Sequence, residues 1–169
     1  GETLLRPVLD AFMDKFPEVS VRLDMLDRPT NLIDEGIDVA LRIAHLADSS
    51  LVALRVGEVR RVVAASPRYL ARHEPITQPS ELAAHQIIAM THFGIDSWSF
   101  PPIDGSAVPR TVQFNPRFTV NSIRAAVASA VQGRGVVRMF SYHLADAVAD
   151  GTLKIILAAH EHAPLPVHL

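Results

Sequence analysis

The chain has 169 residues, of which 49% are hydrophobic and 20% are charged, as in an ordinary globular protein of one large domain or two small ones. Sixteen Lys and Arg oppose eighteen Asp and Glu, so the formal charge of -2 lacks the cationic excess that grips a phosphate backbone, and contact with DNA needs another segment. The absence of cysteine excludes disulfides, thiolate catalysis and cysteine-type zinc sites, and no apolar run is long enough to span a bilayer.

The N-terminal part of the chain predicts a helix followed by a strand. Apolar residues recur at helical spacing after Thr3, which can cap the helix, and the helix must stop before Pro17. Residues 19–25 then alternate between apolar and polar side chains, which predicts a strand.

A second helix and strand are predicted next. A short helix over residues 29–36 is followed by alternating residues 37–43. Helices and strands in alternation are typical of a parallel sheet, where ligands bind beyond the carboxyl ends of the strands. Arg42 and Ile43, at the end of this strand, and the loop of residues 44–50 are therefore candidate ligand contacts.

The middle of the chain begins with a long extended segment, residues 51–65, whose interruption at Gly57 can mark a crossing between two sub-domains. Ser66 and Pro67 then form an N-cap and first-turn pair that starts a short helix. The patterns that follow predict a helix over residues 80–84, a buried strand over 87–90 that ends at Thr91 and His92, and a small β-structure around 98–100 and 112–114.

The stretch of residues 119–138 organises the rest of the chain. Asn121 and Ser122 can cap a helix that Gly133 ends, and residues 136–137 predict a buried strand. The N-terminus of this helix offers unpaired N–H groups and the positive end of the helix dipole, so it can receive a carboxylate or phosphate. Simple capping and solvation of the helix end is the alternative.

The C-terminal part is predicted to contain a loop with Phe140 and Ser141, a helix over residues 142–149 and a strand over residues 153–157. His160 and His162 would share one face of a strand, which raises the possibility of a metal site. The only further ligand type beside them is Glu161, on the opposite face, so we expect a surface pair and no metal.

Several charged residues have two interpretations. Arg42 can pair with an anionic effector through its bidentate fork, or it can form a structural salt bridge to Asp38 or Asp48. Arg60 and Arg61 are expected on the polar edge of a crossing strand and not in a nucleic-acid patch, because no aromatic residues interleave with them. Neither a nucleophile elbow nor a phosphate-cradling glycine loop is present, so we expect no enzyme and no cofactor.

Three collinear segments resemble the effector-binding domain of LysR-type transcriptional regulators. DVALRI, DSSL and ASPRYL lie in Asp27–His73, ELAAH lies in Ser80–Met90, and the helix and strand described above lie in Val120–Leu153. The resemblance implies an α/β fold of two sub-domains of the type 2 periplasmic-binding-protein fold, joined by crossing strands. The implied limits are residues 1–57 for an incomplete first sub-domain, 58–164 for the second, and 165–169 for the start of the return crossover.

The resemblance also implies a function. A small effector, for which a carboxylate is a candidate, would bind in the cleft between the sub-domains and shift the population of lobe arrangements. DNA would be bound only by a winged helix-turn-helix domain that precedes this chain, in a cytoplasmic homodimer or homotetramer without membrane contact. A periplasmic solute-binding protein for transport is the alternative. The implied effector contacts are Arg42, Ile43, Thr91, His92, Asn121, Ser122, Phe140 and Ser141.

Overall fold

The structure is a computed structural model, and it describes residues 2–25, 31–46, 51–102 and 108–169. The chain divides into two compact units, which we call unit 1 (Gly1–Val56 and Val167–Leu169) and unit 2 (Gly57–Pro166). Each unit is described below by itself. Within the described ranges, no helix combines the length and the apolar character that a bilayer crossing requires.

Unit 1 begins with the helix α1 (Glu2–Lys15). The helix ends ahead of Pro17, as predicted, because the residue before a proline is pushed out of the helical region. The prediction that Thr3 is the N-cap is wrong, since the helical backbone already starts before it. Phe12 and Phe16 contact each other, with ring centroids 4.9 Å apart, but about two-fifths of each residue stays exposed.

Residues 19–25 are not the strand that their alternating pattern predicts. Their backbone is assigned to no strand, and Val19, Val21, Leu23 and Met25 are all exposed. A strand needs a neighbour that pairs with its N–H and C=O groups, and no strand of the described residues pairs with this segment. The alternating pattern of residues 19–25 therefore favours a strand, but no described strand is available to pair with it.

The rest of unit 1 contains less regular structure than predicted. Instead of a helix ending at Gly36, the described part of the segment forms one turn, which the hydrogen bond from Ile37 N to Leu32 O closes at 2.8 Å. The predicted strand over residues 37–43 shrinks to β1 (Arg42–Ile43).

Some predicted features of unit 1 lie outside the described residues. They are Pro29, where the short helix was expected to open, Asp48, and residues 47–50 of the following loop. The described β1 pairs antiparallel with β10 (Leu165–His168), and two backbone hydrogen bonds between Leu54 and Leu169 lie in the same unit.

Unit 2 and the strand that enters it contain the remaining elements. The strands are β2 (Arg55–Val59), β3 (Arg61–Ala65), β4 (Ile88–Met90), β5 (Ser97–Phe100), β6 (Arg110–Gln113), β7 (Phe118–Val120), β8 (Val137–Phe140) and β9 (Lys154–Ile156). The α-helices are α2 (Pro67–Leu70), α3 (Ile123–Val131) and α4 (Ala145–Ala149), and 3-10 helices cover Pro79–Ala84, Ser141–His143 and Ala158–His160.

The strands of unit 2 form a mixed sheet. β3 lies between β8 and β9 and runs antiparallel to both, while β4 and β7 are parallel. The hydrogen bonds from Ile88 N to Val136 O (2.9 Å) and from Val136 N to Gln86 O (2.8 Å) join the two groups of strands. The parallel sheet that alternating helices and strands predict is therefore present only at β4, β7 and the β4–β8 junction.

Each face of this sheet carries its own hydrophobic core. On one face, Val62 and Met139 pack with helix α3 through Ala126 and Ala130. On the other face, Val63 packs in the cluster that contains Trp98. The period of two along β3 therefore divides the strand between the two cores.

Local signals in unit 2 predict its elements well. The Ser66 hydroxyl caps α2 by accepting a hydrogen bond from Tyr69 N at 3.2 Å, which confirms the predicted cap. The predicted β-structure is confirmed as an antiparallel pair in which Trp98 lies opposite Val112. Strand β7 was not predicted, because three residues followed by a helix cap carry too short a pattern.

Candidate functional site

Four of the predicted site residues meet at one edge of the unit 2 sheet. In the parallel pair of β4 and β7, Met90 lies opposite Val120, so the chain leaves both strands at the same level. Thr91 follows β4, and its N–H donates to the carbonyl of Val120 at 3.2 Å. The four residues after the strands are all exposed; they are Thr91, His92, Asn121 and Ser122.

Ser122 begins helix α3 as its N-cap, as predicted. Its hydroxyl accepts a hydrogen bond from Ala125 N at 3.3 Å, and its carbonyl accepts from Ala126 N at 3.0 Å. Ser122 therefore caps the helix by itself, as the alternative to a ligand-binding role requires. The other N–H groups of the first turn have no acceptor within the helix, and they carry the positive end of the dipole.

Phe140 and Ser141 differ from their prediction as loop residues. Phe140 is the last residue of strand β8, because the ladder with β3 continues as far as the pair Arg61 and Phe140. Ser141 starts a 3-10 helix, and its N–H donates to the carbonyl of Arg60 at 2.9 Å. The Phe140 ring meets the ring of Phe93 edge-on, with centroids 5.1 Å apart, which places Phe140 beside the loop after β4.

Arg42 and Ile43 lie in unit 1 and form the whole of β1. Arg42 is opposite His168 and Ile43 is opposite Val167 in the antiparallel pair with β10. Both residues are half-buried. The prediction that they end a strand over residues 37–43 is wrong, because residues 37–41 are not part of the strand.

The sequence did not identify Arg61 as a residue of this region. Its guanidinium carbon lies 5.9 Å from the ring centroid of Phe93 and 5.7 Å from that of Phe140, and burial lowers its pKa. The expectation that Arg61 lies on a polar strand edge is wrong, because Arg61 pairs with Phe140 of β8 and its Nε is buried. One sequence signal could have predicted that Arg61 faces inward: it lies two residues before Val63, an inward-facing position of the same strand.

The C-terminal histidines do not lie on a strand as predicted. His160 ends a 3-10 helix, and its Nδ1 lies 3.2 Å from Nη2 of Arg110. Nε2 of His162 lies 3.0 Å from the carbonyl oxygen of Ser99. Among the residues that the structure describes, no group of three His, Asp or Glu is arranged to hold a metal ion.

Comparisons with known proteins place the chain in a family. The family model described as "LysR substrate binding domain" matches residues 1–169. The transcriptional regulator CrgA of Neisseria meningitidis serogroup B is 31% identical over 156 residues, which are 92% of this chain and 51% of CrgA. This chain therefore spans about half the length of the curated relatives it matches.

Two solved structures support the same assignment. The regulatory domain of CrgA is 29% identical, with a TM-score of 0.77 over 98% of this chain and 80% of that domain. The full-length Vibrio cholerae virulence activator AphB, described as a member of the LTTR protein family, is 26% identical, with a TM-score of 0.83 over 98% of this chain and 55% of AphB.

Proposed function

The chain belongs to the LysR substrate-binding domain family, and on that premise we propose that a small effector binds it at the carboxyl ends of β4 and β7. The chain is the effector-binding domain of a LysR-type regulator and has the type 2 periplasmic-binding-protein fold. The relatives named above are regulators, and none of them supports the alternative of a transport protein.

One observation carries the proposed position of the effector. The parallel register of Met90 and Val120 brings two polar pairs, Thr91 with His92 and Asn121 with Ser122, to one sheet edge. The N-terminus of α3 adds N–H donors and a positive partial charge at the same place. These groups favour an anionic effector, and a carboxylate is the commonest small anion with this chemistry.

The proposed contact set extends beyond these four residues. Phe140 and Ser141 follow at the end of β8, and Phe140 would supply an aromatic surface beside the polar edge. Arg42 and Ile43, which form β1, are proposed as contributions from unit 1 because the family resemblance implies them. Binding between two lobes, with a shift in their arrangement, stays a prediction.

The other properties of the whole protein are also proposals. We propose a cytoplasmic homodimer or homotetramer without catalytic activity, whose DNA contacts come from a winged helix-turn-helix domain ahead of Gly1. The proposed sub-domains cover residues 1–57 and 58–164, with a return crossover from 165. The division of the structure after Val56 and after Pro166 supports limits near these.

Matched ligand pairs test the effector proposal. Thermal unfolding of the chain is followed with benzoate, succinate and other small carboxylates, and with the corresponding neutral amides. We expect a carboxylate to raise the Tm and its amide not to, because the edge offers donors and positive potential but no carboxylate of its own among the four residues.

The substitution Ser122→Asp tests whether the rise in Tm with a carboxylate arises from binding at this edge. Ser122→Asp keeps a good N-cap but brings a negative charge to the edge, so it should abolish the rise in Tm while leaving the Tm without ligand nearly unchanged. Ser80→Asp, an exposed change in the 3-10 helix Pro79–Ala84, is the control and should keep the response. An unchanged carboxylate response in Ser122→Asp contradicts the proposed site.

The DNA-binding proposal has a separate test. The coding sequence upstream of Gly1 should encode a basic helix-turn-helix and a linker helix. A hydrophobic leader with a cleavage site in that position would instead support a solute-binding protein.

A further inference from the structure

Two arginines lie side by side on the central strands of unit 2. Arg138 of β8 is directly opposite Val63 of β3, and Arg61 is two residues before Val63, so both arginine side chains leave the same face of the sheet. Arg138 is only 5% exposed. Nε of Arg61 is buried and has no hydrogen-bond partner.

Neither guanidinium has an acidic partner. Within the described residues, no carboxylate lies within salt-bridge distance of Arg61 or Arg138, and no acceptor hydrogen-bonds to the Arg138 guanidinium. Burying a cation without a partner costs free energy, and this cost disfavours the charged form of the side chain. Burial, together with the charge of Arg61, lowers the pKa of Arg138 to about 10.

Aromatic rings compensate only part of this cost. The Arg138 guanidinium carbon lies 5.2 Å from the ring centroid of Phe100 and 5.9 Å from that of Trp98. A ring face attracts the cation, but it does not accept the in-plane N–H groups as an oxygen or a halide does. The rings therefore do not replace a hydrogen-bond acceptor, and the buried Nε of Arg61 still lacks one.

Both arginines line one small cavity. The cavity is partly open to solvent. The other lining residues are Val63, Phe100, Leu157, His160, Glu161 and His162.

The charges on the cavity wall leave it positive. Glu161 is the only carboxylate in the lining, and both of its oxygens already bind Arg60, at 2.7 and 2.8 Å. Nδ1 of His160 lies 3.2 Å from Nη2 of Arg110, and since a guanidinium can only donate, Nδ1 is the acceptor of this hydrogen bond. His162 donates from Nε2 to the carbonyl of Ser99. The lining thus contains two cations whose charge no neighbour cancels.

We propose that this cavity is a binding site for a small monovalent inorganic anion of about the size of chloride, held by the guanidinium groups of Arg61 and Arg138. The residues that line this cavity are not among the proposed effector contacts, so the site is distinct from the effector edge. The anion supplies the acceptor that the buried Nε of Arg61 lacks. It also holds Arg61 in place beneath the rings of Phe93 and Phe140.

The test compares anions at constant ionic strength. The chain is unfolded thermally in mixtures of sodium chloride and sodium gluconate at pH 8. We expect the Tm to rise with chloride and to saturate, and bromide to act like chloride. The width of the chloride-35 NMR signal reports binding directly and should exceed that in buffer.

Variants assign the effect to the cavity. Arg61→Met should abolish the saturable rise in Tm and the excess line width, whereas Arg134→Met, a change at an exposed arginine, should keep both. Glu161→Gln removes the one negative charge of the lining and should tighten chloride binding about fivefold. Arg138→Met removes a buried side chain, so it is used only if its circular dichroism spectrum matches that of the unmodified chain.

Two outcomes overturn the proposal. One is a Tm in chloride equal to that in gluconate, together with no excess line width. The other is a folded Arg61→Met chain with the same chloride dependence as the unmodified chain, which would place the effect elsewhere on the surface.

Discussion

Arg60 and Glu161, 101 residues apart in the chain, form a bidentate ion pair in which Nε and Nη2 of Arg60 donate to the two carboxylate oxygens at 2.8 and 2.7 Å. The hydrogen bonds and the charge of Glu161 raise the pKa of Arg60. Arg60 lies between β2 and β3, and its carbonyl accepts from Ser141 N. The pair therefore fixes the segment after β9 to the start of β3.

Arg60→Lys should destabilise the chain by about 1 kcal/mol, although it keeps the positive charge, because an ammonium group cannot reproduce the two parallel hydrogen bonds to Glu161. Urea unfolding measures the change, and Arg134→Lys, at an exposed arginine, serves as the control, with an expected effect near zero. An Arg60→Lys chain as stable as the unmodified one would mean that a point charge is sufficient.

Gly135→Ala should destabilise the fold by about 3 kcal/mol, because a Cβ atom at this position would overlap the carbonyl oxygen of Gln86. That carbonyl accepts the hydrogen bond from Val136 that helps to join β8 to β4, so neither partner can move away cheaply. Gly57→Ala, where a Cβ atom meets nothing within 4 Å, is the matched control. Thermal unfolding that shows equal losses for both variants would contradict the steric argument.

Tyr69→Phe should cost about 1 to 3 kcal/mol, because the Tyr69 hydroxyl accepts from Gln86 N at 2.9 Å and lies 3.2 Å from Nδ1 of His85 in a buried site. Removing the hydroxyl leaves both groups without this partner. A double-mutant cycle with His85→Phe, measured by urea unfolding, should give a positive coupling energy. Additive losses would show that the hydroxyl and the imidazole act independently.

The stability of the chain should fall between about pH 6.5 and pH 4 through His143. Burial lowers the pKa of His143 to about 4 in the folded state, while the unfolded chain binds a proton near pH 6.5. The unfolded state therefore takes up more protons in this interval, and the stability present above it is lost as the pH falls. After allowance for solvent screening of this half-buried group, we expect a loss of about 1 to 2 kcal/mol.

His143→Gln checks this prediction. Urea unfolding at pH 7.5 and pH 5 should show a smaller pH dependence in the variant than in the unmodified chain. A residual dependence of the same sign is expected from His85, whose pKa is lowered by burial and by the charge of His73. Equal pH dependence in the two chains would exclude His143 as a source.

Much of unit 2 is predictable from its sequence because the decisive interactions are local. Ser66 and Ser122 cap helices within three residues of their own position, and the antiparallel pair around Trp98 lies in one short excursion of the chain. The polar residues after β4 could also be placed, since a strand that ends in a parallel sheet presents the next residues at the edge. Asn121 and Ser122 were identified only as a helix start, because β7 was not predicted.

The errors have a common physical origin in long-range pairing. Residues 19–25 have a strand pattern, but the strand forms only with a neighbour, which a local pattern does not reveal. Phe140 was predicted in a loop because its assignment to β8 depends on Arg61, 79 residues earlier in the ladder. The burial of Arg61 likewise follows from strands that lie far away in the sequence.

The position of β3 in the sheet also determines when the chain can fold. Both neighbours of β3 come much later in the sequence, β8 from Val137 and β9 from Lys154. At about 5–20 residues per second, synthesis leaves the two edges of β3 unpaired for about 4–15 s after the strand has been made. During translation the apolar residues from Val62 to Ala65 are thus exposed to association with other chains until their partner strands have been made.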